Sequence, residues 1–153
     1  MISYFESPTV FGKKSLFLGG GITGCPDWQN EVMKSLREKS SDLAIVNPRK
    51  ASFDISKKED TLNQIKWEYQ MLRRVDAIMF WFAKETIQPI ALFELGAHLM
   101  IAGKTIFIGM NPEYPRRIDV EVQTSLIRPD LKIVYSLEDI VDQIILWEKN
   151  EYT

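Results

Sequence analysis

The chain has 153 residues, of which 45% are hydrophobic and 26% charged, and 19 basic against 21 acidic side chains give a formal net charge of −2. This composition is typical of one globular domain over residues 1–153, and the balanced charge argues against nucleic-acid binding through a basic surface. One cysteine, Cys25, and one histidine, His98, exclude an internal disulfide framework and make a metal site built from Cys or His clusters improbable.

Membrane insertion and secretion are not expected. The sequence holds no apolar run of about 18 residues, which a membrane-spanning helix requires. Glu6 and Pro8 interrupt the N-terminal stretch where a signal peptide needs a continuous apolar core. We therefore expect a cytoplasmic protein.

Short apolar runs alternate with stretches of helical periodicity along the chain. In order, the pattern predicts a strand at 15–18, a helix at 27–39, a strand at 43–46, a loop at 51–60, a helix at 61–74, a strand at 76–82, a helix at 90–102, a strand at 104–108, a short helix at 119–127, a strand at 132–134 and a helix at 137–147. Five strands separated by helices predict an α/β fold with a parallel sheet covered on both faces. Ligands of such sheets bind at the carboxyl ends of the strands, which places the chemistry in the loops after Leu18, Val46, Phe82 and Ile108.

Glycines follow the first predicted strand. Residues 19–24 (GGGITG) satisfy the pattern G-x-G-x-x-G of dinucleotide-binding loops. Two details oppose such a site: the second strand ends in Asn-Pro at 47–48 instead of an acidic residue, and Cys-Pro at 25–26 delays the helix to Asp27. A P-loop is excluded because Gly24 is not followed by Lys and Ser or Thr. Two interpretations remain, a tight strand-to-helix turn or a backbone that a small ligand can approach closely.

Two glutamates are candidate catalytic groups. Glu94 lies within an apolar helical run, where a charged side chain needs a function or a partner, and His98 four residues later is a possible ion-pair partner. Glu68 lies in the preceding predicted helix. The alternative for Glu68 is a surface residue near Lys66 and Arg73.

Aromatic residues and one mixed loop allow two interpretations each. Trp67, Trp81 and Phe82 either belong to the core or stack on a flat base, which contributes about 1–3 kcal/mol. The loop at 114–119 (YPRRID) either is solvated or binds a polar ligand. Asp76 opens a buried strand, where a role in a turn or cap is favoured.

Four stretches of the chain occur in a characteristic order: 15–22 with 26–29, 67–68 leading to 75–82, 93–96, and 114–120 with Gln123. Together they resemble the nucleoside 2-deoxyribosyltransferase family, particularly its divergent "like" branch. The resemblance implies a flavodoxin-like three-layer sandwich with a five-stranded parallel sheet. It also implies an enzyme that cleaves the N-glycosidic bond of 2′-deoxynucleosides and transfers the sugar to a free nucleobase.

The resemblance implies roles for individual residues. Glu94 matches the family's nucleophile, which forms a covalent deoxyribosyl-glutamate. Glu68 matches an acidic residue that helps to hold the sugar, for which classical members have Asp. Gln88 stands where classical members have an Asp associated with proton transfer to the base. Further implied substrate-binding residues are Gly20, Gly21, Ile22, Trp28, Trp81, Tyr114, Arg116, Asp119 and Gln123.

The resemblance further implies that neither a metal nor an organic cofactor is needed, and that the chain forms a dimer or larger homo-oligomer. Two alternatives remain. A hydrolase of 2′-deoxynucleoside 5′-monophosphates would need hydroxyl or amide groups around the phosphate, and residues 87–92 (IQPIAL) offer no hydroxyl. A non-catalytic nucleotide-binding module is supported by Gln88, which cannot act as an acid.

Overall fold

The computed structural model describes residues 13–50 and 57–150. Its elements in chain order are β1 (Ser15–Gly20), α1 (Trp28–Glu38), β2 (Ala44–Val46), a 3-10 turn (Pro48–Lys50), α2 (Lys58–Arg74), β3 (Ala77–Phe82), α3 (Pro89–Leu99), β4 (Thr105–Met110), α4 (Arg117–Ile127) and α5 (Leu137–Lys149). The predicted loop at 51–60 lies partly outside the described residues, at 51–56. Its last three residues, 58–60, form the first turn of α2 instead, where Glu59 and Asp60 suit the positive end of the helix dipole.

The described strands form one parallel sheet in the order β2-β1-β3-β4. Phe17 of β1 pairs with Ile78 of β3, and Phe80 of β3 pairs with Ile108 of β4. Because the connections from β1 to β2 and from β3 to β4 run to opposite sides of the β1-β3 pair, the loops after β1 and β3 diverge at the carboxyl ends of these strands. That divergence is the usual position of a ligand crevice in doubly wound sheets.

Side chains alternate along the strands and divide the core into two layers. Phe17 and Phe80 face the side covered by α2, α3 and α4. Leu18 and Met79 face the side covered by α1 and α5. Every residue of β3 is buried, which confirms its predicted place in the centre of the sheet.

The predicted α/β fold with a parallel sheet is confirmed, but the prediction of five strands is wrong. The described residues form four strands, and the segment predicted as a fifth, 132–134, contributes a single parallel bridge between Val134 and Gly109. The two hydrogen bonds of this bridge run from the Met110 amide to the Val134 carbonyl at 3.0 Å and from the Val134 amide to the Ile108 carbonyl at 3.1 Å. Ser136 already caps α5 two residues later, so the segment is too short for a ladder.

Asp76 links β1 and β3 at the amino ends of these strands. Its carboxylate accepts hydrogen bonds from the amide and the hydroxyl of Ser15, at 2.8 and 3.0 Å. The Ser15 hydroxyl oxygen in turn accepts from the Asp76 amide at 3.0 Å. This connection between the starts of β1 and β3 agrees with the structural role favoured for Asp76.

Across residues 13–50 and 57–150, none of the helices combines the length and apolar character needed to cross a bilayer.

Candidate active site

An open cleft of about 530 Å³ lies at the carboxyl ends of β1 and β3. Its walls are the glycine loop after β1, the segment after β2, the outer side of α2, and the loop from β3 into α3. Three of the four predicted loops therefore contribute to one cleft. Among the predicted site residues, Gly20, Gly21, Ile22, Glu68 and Glu94 line it.

Glu94 reaches the cleft from the second turn of α3. Pro89 occupies the start of this helix, where its fixed φ and missing amide hydrogen are favourable. The carboxyl group is largely buried, and this burial, followed by the negative charge of Glu68, raises the pKa of Glu94 to about 8. The expected alternative, an ion pair with His98, is not formed, because the His98 ring nitrogen Nδ1 lies 2.7 Å from the Glu94 backbone carbonyl. The Glu94 carboxyl group is therefore directed to the cleft without a cationic partner among the described contacts.

Glu68 reaches the same cleft from α2. Burial raises the pKa of its carboxyl group, and a hydrogen bond with the Gln64 side chain partly offsets this effect. Gln64, four residues earlier on the same helix, also lines the cleft and was not predicted from the sequence. Among the described lining residues, Glu68 and Glu94 are the titratable ones, and no Lys or Arg accompanies them. The cleft thus carries two acids in apolar surroundings.

The glycines of the loop are required by the protein's own packing. Gly20 has a φ of +143°, and a Cβ there would collide with the Trp81 carbonyl oxygen and come within 2.8 Å of the Trp28 ring. The amide of Gly21 donates to Gln88 Oε1 at 2.9 Å. Its carbonyl accepts from Trp28 Nε1 at 3.0 Å and from Gln29 Nε2 at 3.2 Å. The amide and the carbonyl of Gly21 therefore both bind protein groups.

Arg49, which was not predicted as a site residue from the sequence, binds the rest of this loop. Its Nη2 atom donates to the carbonyls of Ile22, Cys25 and Pro26 at 3.0–3.1 Å, and its Nε atom donates to Gln29 Oε1 at 2.9 Å. The signal in the sequence was a cation in the turn that follows β2, at the edge of the sheet where ligands bind. The sequence does not reveal that the partners of this cation are backbone carbonyls.

Gln88 lies at the junction of the cleft walls. Its side-chain Nε2 donates to the carbonyls of Ala83 and Thr86, at 2.7 and 3.0 Å, and its Oε1 accepts from Gly21. The amide is thus occupied by protein partners on both of its polar atoms.

Three predicted aromatic site residues lie behind the cleft. Trp28 is buried beneath the glycine loop and contacts it through the hydrogen bond to Gly21. Trp81 is buried on the opposite face of the sheet, where its ring packs against Gly109. The buried Tyr114 packs on Phe82 at a centroid distance of 5.0 Å, and its hydroxyl donates to the Ile87 carbonyl at 2.5 Å. All three side chains support the walls and lie outside the lining of the cleft.

Arg116, Asp119 and Gln123 line a second, smaller cleft of about 200 Å³ between α3 and α4. Arg116 and Asp119 form an ion pair there, with 3.0 Å between Nε and Oδ2. This cleft adjoins the face of α3 that carries Leu95 and Leu99, and it does not share a lining residue with the larger cleft. Within one described chain these three residues are therefore separate from Glu94.

A metal centre has no support in the side chains that the structure describes, because these include no cluster of three or more His, Cys, Asp and Glu side chains that could hold an ion.

Comparison with known proteins identifies the family. The profile of the family described as "Nucleoside 2-deoxyribosyltransferase like" matches residues 13–114, about two thirds of the chain. No curated protein matches the sequence. The matched region contains both cleft glutamates, the glycine loop and Gln88, whereas Arg116, Asp119 and Gln123 follow it. The chain belongs to the nucleoside 2-deoxyribosyltransferase-like family.

Proposed function

We propose that the protein cleaves the N-glycosidic bond of 2′-deoxynucleosides and transfers the deoxyribosyl group to another base, with Glu94 as the nucleophile. The observation that carries this proposal is the position of Glu94, a largely buried carboxyl group in a cleft of about 530 Å³ within a chain of this family. The family suggests a glycosyl-transferring or glycosyl-hydrolysing enzyme. Our proposal goes further than the family in two respects: it chooses transfer over hydrolysis, and it assigns the nucleophile to Glu94.

The chemistry follows from the residue types. A Glu94 oxygen bonds to C1′ while the bond from C1′ to the base nitrogen breaks, and the electron pair of that bond stays on the base. The transition state resembles an oxocarbenium ion, whose positive charge a poorly solvated carboxylate stabilises more strongly than water does. The departing base then takes up a proton. The cleft offers the carboxyl group of Glu68 and solvent at its open side for this step.

The second half of the reaction decides between transfer and hydrolysis. The nitrogen of an incoming base attacks C1′ of the deoxyribosyl-enzyme and gives up its proton to Glu68 or to solvent. The bond from C1′ to Glu94 breaks and releases Glu94 as a carboxylate, which completes transfer. Water in the same position gives deoxyribose and leaves the enzyme free.

We assign Glu68 to binding the sugar hydroxyl groups, because it reaches the same cleft from α2 and has a hydrogen-bond partner, Gln64, that orients it.

An uncharged nucleoside fits the electrostatics of the cleft better than a nucleotide. The described lining residues include two carboxyl groups and no cation. A 5′-phosphate would be repelled by these groups, and Arg49, the nearest described arginine of the loop, already binds three carbonyls. This favours deoxynucleosides over their 5′-monophosphates.

We also propose that the enzyme works as a homo-oligomer, a dimer or larger. The helices on one face of the sheet and the residue that follows α3 present large apolar side chains that are half or more exposed: Ile65, Ile90, Phe93, Met100, Ile118, Val122 and Leu126. Apolar surface of this extent typically marks a protein interface. Ile65 and Ile90 also line the cleft, so a second copy on this face would cover its open side.

The test is incubation of the protein with each deoxynucleoside and a different free base, followed by chromatography of nucleosides and bases. Exchange of the base supports transfer, and release of base without exchange would replace transfer by hydrolysis. Parallel reactions with 5′-monophosphates test the substrate class. Glu94→Gln should abolish either reaction. The matched control is Glu85→Gln, which changes an exposed glutamate in the loop between β3 and α3 and should leave the reaction unchanged. If neither substrate class reacts while nucleotides bind, the protein is a binding module instead.

A further inference from the structure

Gln88 holds an unfavourable backbone conformation at the start of α3. Its φ of +57° lies in the left-handed region, which costs a residue with a side chain about 1–2 kcal/mol. The residue is only 7% exposed, and its side chain makes no capping hydrogen bond to the helix. A strained and buried position is retained only where the surroundings determine it, so the contacts of Gln88 are informative.

Those contacts use the geometry of a primary amide. Both hydrogens of Nε2 have acceptors, the carbonyls of Ala83 at 2.7 Å and Thr86 at 3.0 Å, and Oε1 accepts from the Gly21 amide at 2.9 Å. Ala83 and Thr86 belong to the loop after β3, and Gly21 belongs to the loop after β1. One side chain therefore connects two loops that are 67 residues apart in sequence.

The peptide at Gly21 completes the connection. Its carbonyl accepts from Trp28 Nε1 on α1, so the chain of hydrogen bonds runs from α1 through Gly21 and Gln88 to the start of α3. The fit is close, because a Cβ on Gly21 would lie 2.8 Å from the Gln88 side chain. Glu94 lies on the helix that begins directly after Gln88.

We propose that Gln88 is a positioning residue that fixes the Gly21 loop against the start of α3 and thereby sets the spacing between the glycine wall of the cleft and Glu94. The expected effect on turnover rests on the proposed function. The hydrogen-bonded connection between Gln88 and the Gly21 loop does not depend on it. Gln88 takes no part in proton transfer, because its amide is neither acidic nor free of protein partners.

Only glutamine satisfies these contacts. Aspartate is one methylene shorter and would place negative charge against the carbonyl oxygens of Ala83 and Thr86. Glutamate has the correct length but, when ionised, faces the same carbonyls with an oxygen. When protonated, its hydroxyl donates to one of these carbonyls and its other oxygen still accepts from Gly21. Methionine keeps the approximate volume without any of the hydrogen bonds.

The experiment measures the connection and turnover separately in the full-length protein. The variants are Gln88→Met, Gln88→Asp and Gln88→Glu, with Glu85→Gln as the control. The first readout is the indole N–H resonance of Trp28 in a ¹H–¹⁵N spectrum, assigned with Trp28→Phe, together with its hydrogen-exchange rate. The second readout is kcat and KM for base exchange or release, expressed relative to wild type at each pH.

We expect Gln88→Met and Gln88→Asp to shift the Trp28 indole signal and accelerate its exchange. We also expect them to lower kcat/KM by about 30- to 100-fold, mainly through kcat, as for a misplaced reacting group. Gln88→Glu should be defective at high pH and recover towards wild type as its carboxyl group is protonated. Gln88→Met should show no such recovery.

An unchanged Trp28 signal in Gln88→Met would overturn the inference, and so would a shifted signal with full turnover. Higher turnover in Gln88→Asp would also overturn it, because an acid would then be more useful than the connection at this position. If the wild type itself has no turnover, the proposed function fails, and the connection is then decided by the Trp28 signal alone.

Discussion

Glu94 and Glu68 lie on different helices, line one cleft, and are electrostatically coupled, since the negative charge of Glu68 adds to burial in raising the pKa of Glu94 to about 8. At neutral pH most of the Glu94 carboxyl groups are therefore protonated in the unliganded protein. The carboxylate needed for attack on C1′ becomes the major form only above the raised pKa. The pair thus connects the stability and the activity of this protein to pH.

Stability should fall with rising pH because of Glu94. The pKa of this group is higher in the folded state, about 8, than the ordinary value of 4.5, so the folded state binds the proton more tightly between these values. The favourable contribution is fully present below pH 4.5 and is lost as the pH rises through 8. Above pH 8, the free energy of unfolding of Glu94→Gln, measured with urea, should exceed that of wild type by on the order of 1–3 kcal/mol. Near pH 4.5 the two proteins should have similar free energies of unfolding. A stability difference that stays constant with pH would contradict the assignment.

Glu68→Gln should move the pH dependence of turnover. The substitution removes the charge that helps to raise the pKa of Glu94, so the acidic limb of the kcat/KM profile should shift to lower pH, by roughly 0.5–1 unit. The KM should rise as well, because Glu68 is assigned to the sugar. An acidic limb at the wild-type pH would show that the two carboxyl groups are not coupled during the reaction.

Gly20→Ala should destabilise the fold. The φ of +143° disfavours a side chain, and the new Cβ would collide with the Trp81 carbonyl. We expect a loss of about 2–4 kcal/mol, measured by urea unfolding. Gly96→Ala is the matched comparison, because this glycine lies within α3 and the added Cβ would meet no atom within 4 Å beyond the neighbouring helix backbone. The substitution should stabilise the helix by about 0.5–1 kcal/mol. Equal effects of the two substitutions would refute the argument from packing.

Arg49→Lys should loosen the glycine loop. A lysine retains the charge but cannot reproduce the hydrogen bonds to Ile22, Cys25, Pro26 and Gln29 simultaneously. We expect about 1–2 kcal/mol lower stability and a several-fold higher KM for the deoxynucleoside. Arg37→Lys on α1, an exposed position, controls for the exchange of residue type. If KM does not change, the loop is held without Arg49.

Phe93→Glu should weaken the proposed oligomer. Phe93 on α3 is 78% exposed, and a charge in the centre of an apolar interface destabilises association. Sedimentation velocity should show a smaller species or a concentration-dependent shift in the variant. Leu146→Glu, 65% exposed on α5 at the other face of the sheet, should leave the wild-type species unchanged. A monomeric wild type would refute the proposal directly.

Periodicity in the sequence predicted most of the fold, because it reflects which residues are buried. The run at 76–82, apolar in every residue after Asp76, indicated the central strand correctly, whereas the three-residue run at 132–134 carried too few residues to show whether a ladder or a single bridge forms. The structure brings Glu68 and Glu94 to one cleft. In the sequence Glu94 stood out as a carboxylate within an apolar run, whereas the role of Glu68 was implied by the family resemblance. Their chemical roles remain predictions.

Other features of the site depend on contacts that a sequence pattern does not contain. Trp28 and Tyr114 are aromatic residues next to predicted loops, and nothing local distinguishes a ring that faces a ligand from one that supports the loop from behind. Gln88 attracted notice for the acid that it replaces in the family resemblance. One of its three side-chain hydrogen bonds is with Gly21, which only the tertiary fold brings near.

The single bridge at Val134 leaves part of the edge strand β4 unpaired, which bears on aggregation at high protein concentration. Along the outer side of β4, the described chain supplies a backbone partner only at Ile108 and Met110, so the start of this strand keeps an open edge. An open strand edge can pair with a strand of another molecule. A nearby lysine opposes this pairing, because the pairing would desolvate its charged side chain. Lys132, exposed beside the bridge, is placed to provide that protection. Its replacement by an apolar residue should therefore favour aggregation before it alters catalysis.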